Sequence, residues 1–294
     1  MEVVVPLHVS GIWIAKPSED PLKAGSIGAG INLALYARAV AAEAPCEIQV
    51  NGLRFFVDQA RSVCEETGAP VKTQVKSPVG LGKGFGLSAA TLISHSIFSH
   101  IYAGKPLTKA FQLAHVLEVK YSTGLGDVIA EWLGGIVVRV VPGAPGVGYA
   151  YRILPRQRVV LVVAELGTEE STSHMLARIP TEVYATGEKL LREFIETEDL
   201  LVFFENSRRF TSTIFDYSTA NQVVSHVKGI IGYYLKKSAL VMWIEREFAS
   251  SALEELHKRG IKAFVTTISQ IGASIVHTTQ PSQKNQLAYQ EKAS

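Results

Sequence analysis

The sequence predicts an α+β fold in two domains, and three observations carry that expectation. Stretches with strand periodicity and stretches with helical periodicity are intermixed along the chain. The densest cluster of chain breakers, Pro142-Gly143-Ala144-Pro145-Gly146, lies near the middle and is soon followed by Pro155. The 294 residues, 47% of them hydrophobic, suffice for two domains of ordinary size or one large one. The expected division is 1–155 and 156–294.

The elements follow in order. Met1–Pro6 and His8–Ala15 read as strands, and Ser26–Tyr36 as a glycine-led segment. Glu47–Val50 and Leu53–Val57 read as a hairpin across Asn51-Gly52, a pair that tolerates the positive φ of a two-residue turn. A helix is expected over 58–67, ended by Gly68 and Pro70, and then a strand over 71–76. Helices follow over 88–102 and 107–119, and Ile136–Val141 reads as a core strand, far too short to span a membrane. In the second half a β-rich run covers 158–165. Helical patterns cover 172–196, interrupted at Pro180, and 221–236. A strand over 239–244, a helix over 250–258 closed by Gly260, strands over 263–268 and 274–277, and a loose polar tail over 284–294 complete the chain.

Composition narrows the function. A formal charge of +2 with no basic stripe excludes an ordinary nucleic-acid binder. The N-terminus enters a strand without a basic leader, so no signal peptide and no membrane association are expected. Cys46 and Cys64 belong to no CxxC motif or His cluster, which points to a reducing cytoplasm without a disulfide framework, although sequence leaves their pairing open. The chain is compatible with a homodimer.

One segment stands out chemically. Pro78-Val79-Gly80-Leu81-Gly82-Lys83-Gly84-Phe85-Gly86-Leu87-Ser88-Ala89-Ala90 places four glycines at alternate positions before a helical run. Glycine lets backbone approach a ligand closely, and a helix start offers unpaired N–H groups and a positive dipole end. Phosphate is the natural guest. A Walker A loop needs Ser or Thr after its Lys, but Lys83 precedes Gly84. A dinucleotide fingerprint needs Gly in sixth place, where counting from Gly80 or Gly82 gives Phe85 or Leu87. The segment reads as a nucleotide-phosphate loop of another kind, with a glycine-rich surface turn as the plain alternative.

Two acids join it. Asp127, on the glycine-bounded loop Thr123-Gly124-Leu125-Gly126-Asp127, reads by itself as a helix cap; paired with the phosphate loop it reads as an acceptor of a hydroxyl proton. Glu118 offers oxygen to Mg2+ or is a solvated helix charge, and His115 reads as a packing or hydrogen-bonding residue, since a hard ion prefers oxygen.

The run Gly84–Ala90 after a proline resembles the second motif of the GHMP kinases. Asp127, followed seven and eight places later by Gly134-Gly135, resembles their catalytic-aspartate segment. Within that superfamily, His8-Val9-Ser10-Gly11 and Gly25-Ser26-Ile27-Gly28-Ala29-Gly30 resemble the opening of the archaeal pantoate kinase family, with a departure at Leu7, where that family has Gly. Arg139 before Pro142–Gly146 extends the resemblance, which covers most of 6–148 and thins beyond. Of the family's third, glycine-rich motif only Gly272-Ala273 remains.

The resemblance implies a two-domain GHMP kinase fold, an N-terminal ribosomal-S5-like α/β domain followed by a C-terminal ferredoxin-like α+β domain. It implies ATP-dependent phosphorylation of the primary hydroxyl of pantoate to 4-phosphopantoate, on the archaeal route to coenzyme A. Gly82, Lys83, Gly84, Phe85, Gly86, Leu87, Ser88 and Ala89 would then cradle ATP, Ser88 and Glu118 would hold Mg2+, and Asp127 would orient or deprotonate the hydroxyl. His8, Ser10, Ser26 and Arg139 would bind pantoate, Arg139 at its carboxylate. Lys83 pointing to solvent and Arg139 in a surface salt bridge are the plain alternatives. The rival functions are a sibling kinase for mevalonate, homoserine or a sugar, and a nucleotide-binding regulator without turnover.

Overall fold

The computed structural model describes residues 1–167 and 169–277; the tail expected over 284–294 lies outside the described residues. The first half contains β1 (Glu2–Lys16), β2 (Gly25–Glu43), β3 (Glu47–Val50), β4 (Leu53–Phe55), α1 (Val57–Thr67), β5 (Val71–Lys76), α2 (Leu87–Tyr102), α3 (Leu107–Lys120), α4 (Asp127–Leu133), β6 (Ile136–Val141) and β7 (Tyr149–Ile153). The second contains β8 (Leu161–Glu165), α5 (Thr172–Ala177), α6 (Thr181–Thr197), α7 (Leu200–Thr211), α8 (Ser218–Val224), β9 (Ile230–Lys236), β10 (Ala239–Ile244), α9 (Ala249–Lys258), β11 (Ala263–Thr266) and β12 (Ser274–Val276).

Two sheets organise these elements. The larger has the order β12-β1-β2-β5-β3-β4, with β6 on β2 and β7 on β6; the smaller is β11-β8-β10-β9, antiparallel throughout. β1 and β2 pair antiparallel from Val3–Ala39 to Lys16–Gly25, with bulges at Pro6/Leu7 and Ser10/Ile12. A proline cannot donate to a ladder and is tolerated at a bulge. The two strands expected around Leu7 are therefore one bulged strand, and the glycine-led segment is a strand as well. One edge of β2 serves two neighbours: residues 28–31 pair with β6 and residues 38–43 with β5. The Asn51-Gly52 hairpin forms as expected, with φ of 50° and 85°. The breaker cluster at 142–146 is the β6–β7 connection inside the larger sheet.

The second half departs from expectation in one place that matters for the site. No helix covers 221–236: α8 stops at Val224, Gly229 turns the chain at φ 72°, and Ile230–Lys236 pairs with β10. The β-branched and aromatic residues Ile230, Ile231, Tyr233 and Tyr234 fit a half-buried pleated surface, and cross-strand pairing wins over local helical spacing. The helix Leu200–Thr211 was not expected at all. Pro180 separates α5 from α6 as expected.

The expectation of unpaired thiols is also overturned. Cys46 and Cys64 form a disulfide between β3 and α1, with Cα atoms 6.4 Å apart. Closing a loop over a separation of 18 residues stabilises by about 3 kcal/mol in the chain-entropy account. Spacing along the chain did not reveal this pair because the β3–β4 hairpin brings α1 back beside β3.

α2 is buried at every position from Ala89 to His100, against β1 and β5. Its polar residues are satisfied locally, as in Thr91 Oγ1 to the Leu87 carbonyl (2.7 Å) and Ser94 Oγ to that of Ala90 (2.8 Å). α7 packs between β9 and β1, where Phe203 and Ser207 occupy the space that a Cβ on Gly11 would need. The Tyr234 hydroxyl donates to the Val9 carbonyl (2.9 Å) and ties β9 of the smaller sheet to β1 of the larger. That bond sets the end of β9 beside the site.

Candidate active site

The glycine-rich loop expected to hold phosphate lies over β1 and runs into α2. His8 N donates to the Phe85 carbonyl (3.1 Å), pinning the loop to the strand. Gly84 and Gly86 have φ of 99° and 71°, and a Cβ would strike the Lys236 carbonyl at Gly84 and the Glu131 carboxyl at Gly86. Only glycine serves at these two positions. No side chain caps α2, which leaves its first-turn N–H groups available to an anion. A cleft of about 370 Å³ opens here, lined by Gly82, Gly84 to Ser88 and Asp127, and from the second half by Thr172, Lys236 and Lys237. Two expected loop residues stand apart from its wall. Lys83 Nζ approaches Glu169 (3.8 Å) and the Gly167 carbonyl (3.5 Å), and Ala89 is buried in α2.

Asp127 opens α4 without capping it. His8 Nδ1–H donates to its Oδ1 (2.7 Å), and Lys236 Nζ lies 3.7 Å from the same oxygen. Burial alone would raise this carboxyl; the Lys236 ammonium, the His8 hydrogen bond and the Arg139 guanidinium overturn that and hold it well below the usual range. Burial lowers His8 to about 4, against the pull of Asp127 and with the help of Arg139 and Lys236. The imidazole is therefore neutral at pH 7, with its proton on Nδ1. An ionised Asp127 accepting from neutral His8 is the ground state of this pair.

Glu118, near the end of α3, is 1% exposed. Thr123 Oγ1 donates to its Oε1 (2.7 Å) and Oε2 has no partner, while the nearby Ser88 hydroxyl acts to lower its pKa. Burial, and then Asp127, push it up to about 7. An orphaned carboxylate oxygen beside a serine hydroxyl is an oxygen-only donor set that fits hard Mg2+. Arg139, on β6, is 1% exposed, and Nε, Nη1 and Nη2 all lack partners. It lies behind Ser26 and Gly126, and burial lowers it to about 10. A buried guanidinium with every donor free is costly until an anion meets it.

A second chamber of about 30 Å³ abuts the cleft. Ser10 and Ser26 line it together with Trp13, Leu125 and Met175; His8 and Arg139 are not in its lining, His8 bonding to the lining Asp127 and Arg139 lying against the lining Gly126. Cleft and chamber share three residues: Asp127, Thr172 and Lys236.

No protein-family model matches the chain. It is similar to the pantoate kinase of Thermococcus kodakarensis, 30% identical over 207 residues that cover 65% of this chain and 68% of that protein. The chain belongs to the pantoate kinase family. The pantoate kinase of Methanocaldococcus jannaschii is 25% identical over 213 residues, covering 70% and 77% of the two chains. Among solved structures, a phosphotransferase related to the CoA biosynthesis pathway superposes with a TM-score of 0.77 at 24% identity, over 95% of this chain and all of that one. A mevalonate kinase superposes with a TM-score of 0.65 at 13% identity, over 92% and 99%. The two-domain GHMP kinase fold expected from the motifs is the fold of this pantoate kinase family member.

Sequence reading missed four residues at this candidate site. Lys236 was hidden by the helix expected over 221–236; a charge at the end of an aromatic strand, before a hairpin, was its only signal. Thr172 and Met175 come from α5, whose helical pattern says nothing of its neighbours. Glu131, on α4 one turn from Asp127, is fully buried with neither carboxylate oxygen bonded. Burial, then Asp127 and Glu118, raise it well above the usual range, so it stands neutral behind Gly86.

Glu131 gives a signed pH prediction. The unfolded chain ionises Glu131 near pH 4.5 while the folded protein keeps it protonated, so its contribution withdraws stability as pH rises above that value. Glu131→Gln cannot titrate. The difference in Tm, variant minus wild type, is expected to grow from pH 4.5 towards about pH 7. Thermal melts across that range check it, and a flat difference would mean that Glu131 ionises normally.

Proposed function

We propose that this protein transfers the γ-phosphoryl group of ATP to the primary hydroxyl of pantoate, releasing 4-phosphopantoate and ADP. The observation that carries the reading is the contact of a phosphate-type cleft with a small second chamber at the Asp127 carboxylate. The backbone from Gly82 to Ser88 cradles the triphosphate. Mg2+, which Ser88 and Glu118 would hold, supplies neutralisation of phosphate charge when bound. Asp127 orients the attacking hydroxyl, while His8 fixes the carboxylate's direction through its Nδ1–H. Arg139 takes the pantoate carboxylate, and Ser10 and Ser26 its hydroxyls. Trp13, Leu125 and Met175 give the apolar wall suited to a carbon bearing two methyl groups. The chamber holds about one water's volume, so an acceptor the size of pantoate needs it to widen.

The division at 155/156 separates the two sheets, except that Ser274–Val276 returns to β1. A near-neutral charge supports a small-molecule acceptor over nucleic acid. ATP dependence supports a cytoplasmic site of action. The test is ADP release from ATP and Mg2+ with pantoate, mevalonate, homoserine or pantothenate. Stimulation by pantoate alone is the expected result. Stimulation by another member of the panel moves the reading to a sibling kinase, and none at all moves it to a nucleotide-binding regulator.

A further inference from the structure

A kinase of this kind needs a cation on the phosphoryl group in flight, and the loop lysine is committed elsewhere, against Glu169. Lys236 ends β9 in the smaller sheet and is 7% exposed. Its Nζ lies 3.7 Å from Asp127 Oδ1 and 5.8 Å from the centre of the Trp13 ring. Among the described residues this ammonium makes that one ion pair and no hydrogen bond, so its three donors remain open. It borders both the phosphate cleft and the acceptor chamber. The Lys236 carbonyl also presses on Gly84, and Ser238 Oγ donates to the Lys83 carbonyl (3.2 Å), so the β9–β10 hairpin is built against the phosphate loop.

The structure assigns Lys236 as a catalytic residue, the cation that bridges the acceptor hydroxyl and the transferring phosphoryl group. The assignment rests on the phosphoryl-transfer reading above. The acceptor oxygen forms its bond to Pγ as the bond from Pγ to the bridging oxygen breaks, and that electron pair leaves on ADP. The hydroxyl proton, acidified by the new P–O bond, passes to Asp127 and then to solvent. Lys236 neutralises charge on the phosphoryl oxygens, where a fixed charge in a shielded site acts most strongly. The smaller sheet therefore supplies part of the chemistry. A lysine on it completes a site whose loop and acid come from the larger one.

The test compares wild type, Lys236→Met and Lys236→Cys. Lys236→Met is expected to lose about 10²–10³-fold in kcat, with the Kd of a non-hydrolysable ATP analogue, measured by calorimetry, within about threefold. Because Cys46 and Cys64 are paired, a cysteine at 236 is the single free thiol, and alkylation with bromoethylamine rebuilds a lysine-like ammonium there. Recovery of at least about a tenth of wild-type kcat supports the assignment. A Lys236→Met rate within threefold of wild type, or an alkylated Lys236→Cys no faster than the unalkylated one, overturns it. Should Lys236→Met fail to fold, the alkylation pair still decides, since both samples share one chain. If wild type turns over no pantoate, the functional reading falls. Lys236 is then judged on basal ATP hydrolysis, where the same loss supports it and an equal rate overturns it.

Discussion

Asp127→Asn is expected to lower kcat by about 10²–10⁴-fold while leaving the Kd for nucleotide within about threefold. The reason lies in the charge balance of the cluster. Lys236, His8 and Arg139 hold the carboxylate ionised and well below the usual range. Such a carboxylate is a weak base, so its work is chiefly to orient the hydroxyl and to take a proton that bond formation has already loosened. The amide keeps the shape but accepts through one oxygen and carries no charge. It also leaves Lys236 without its ion-pair partner in a buried cluster, and breaking a buried charge pair is strongly destabilising. The rate must therefore be referred to nucleotide-binding sites, counted by titration, rather than to total protein. A variant turning over within a factor of about five of wild type per site would remove Asp127 from the chemistry.

Arg139→Met is expected to raise the KM for pantoate about 10²-fold, with the KM for ATP within a factor of about two. Truncating one partner of a buried charge pair loses that much because the pair is desolvated. Thermal stability separates this role from a structural one. All three guanidinium nitrogens lack partners in the free protein, so replacing the cation by an apolar side chain should leave Tm unchanged or raise it. A fall in Tm with an unchanged KM would make Arg139 a counter-charge to Asp127 and no part of the acceptor site.

The elements that sequence made legible are those whose signals are local. Alternating glycines ahead of Ser88 marked the loop because positive φ and the lack of room for a Cβ are properties of single residues. Asn51-Gly52 marked its hairpin for the same reason. Asp127 was found through its spacing to Gly134-Gly135, and Glu118 through its place upstream, since motif spacing survives in one dimension. Lys236 was not found, because its strand carries helix-compatible spacing and only pairing with β10 decides its state. Glu131 was not found either, since nothing in a helical pattern tells which acid will face the loop's interior.

By itself the sequence determined the groups on offer: a loop of conformationally fixed glycines, two oxygen acids, a histidine and an arginine in motif order. Each of these depends on backbone conformation and residue type, which are set within a few positions along the chain. Only the tertiary structure decided the charges and the company those groups keep. Asp127 is ionised, His8 is neutral, Glu131 is protonated, Arg139 is unpaired, and Cys46 meets Cys64. Protonation and pairing depend on desolvation and on charges brought in from distant segments. The second sheet's lysine reaches the first sheet's acid only after β9 is tied to β1.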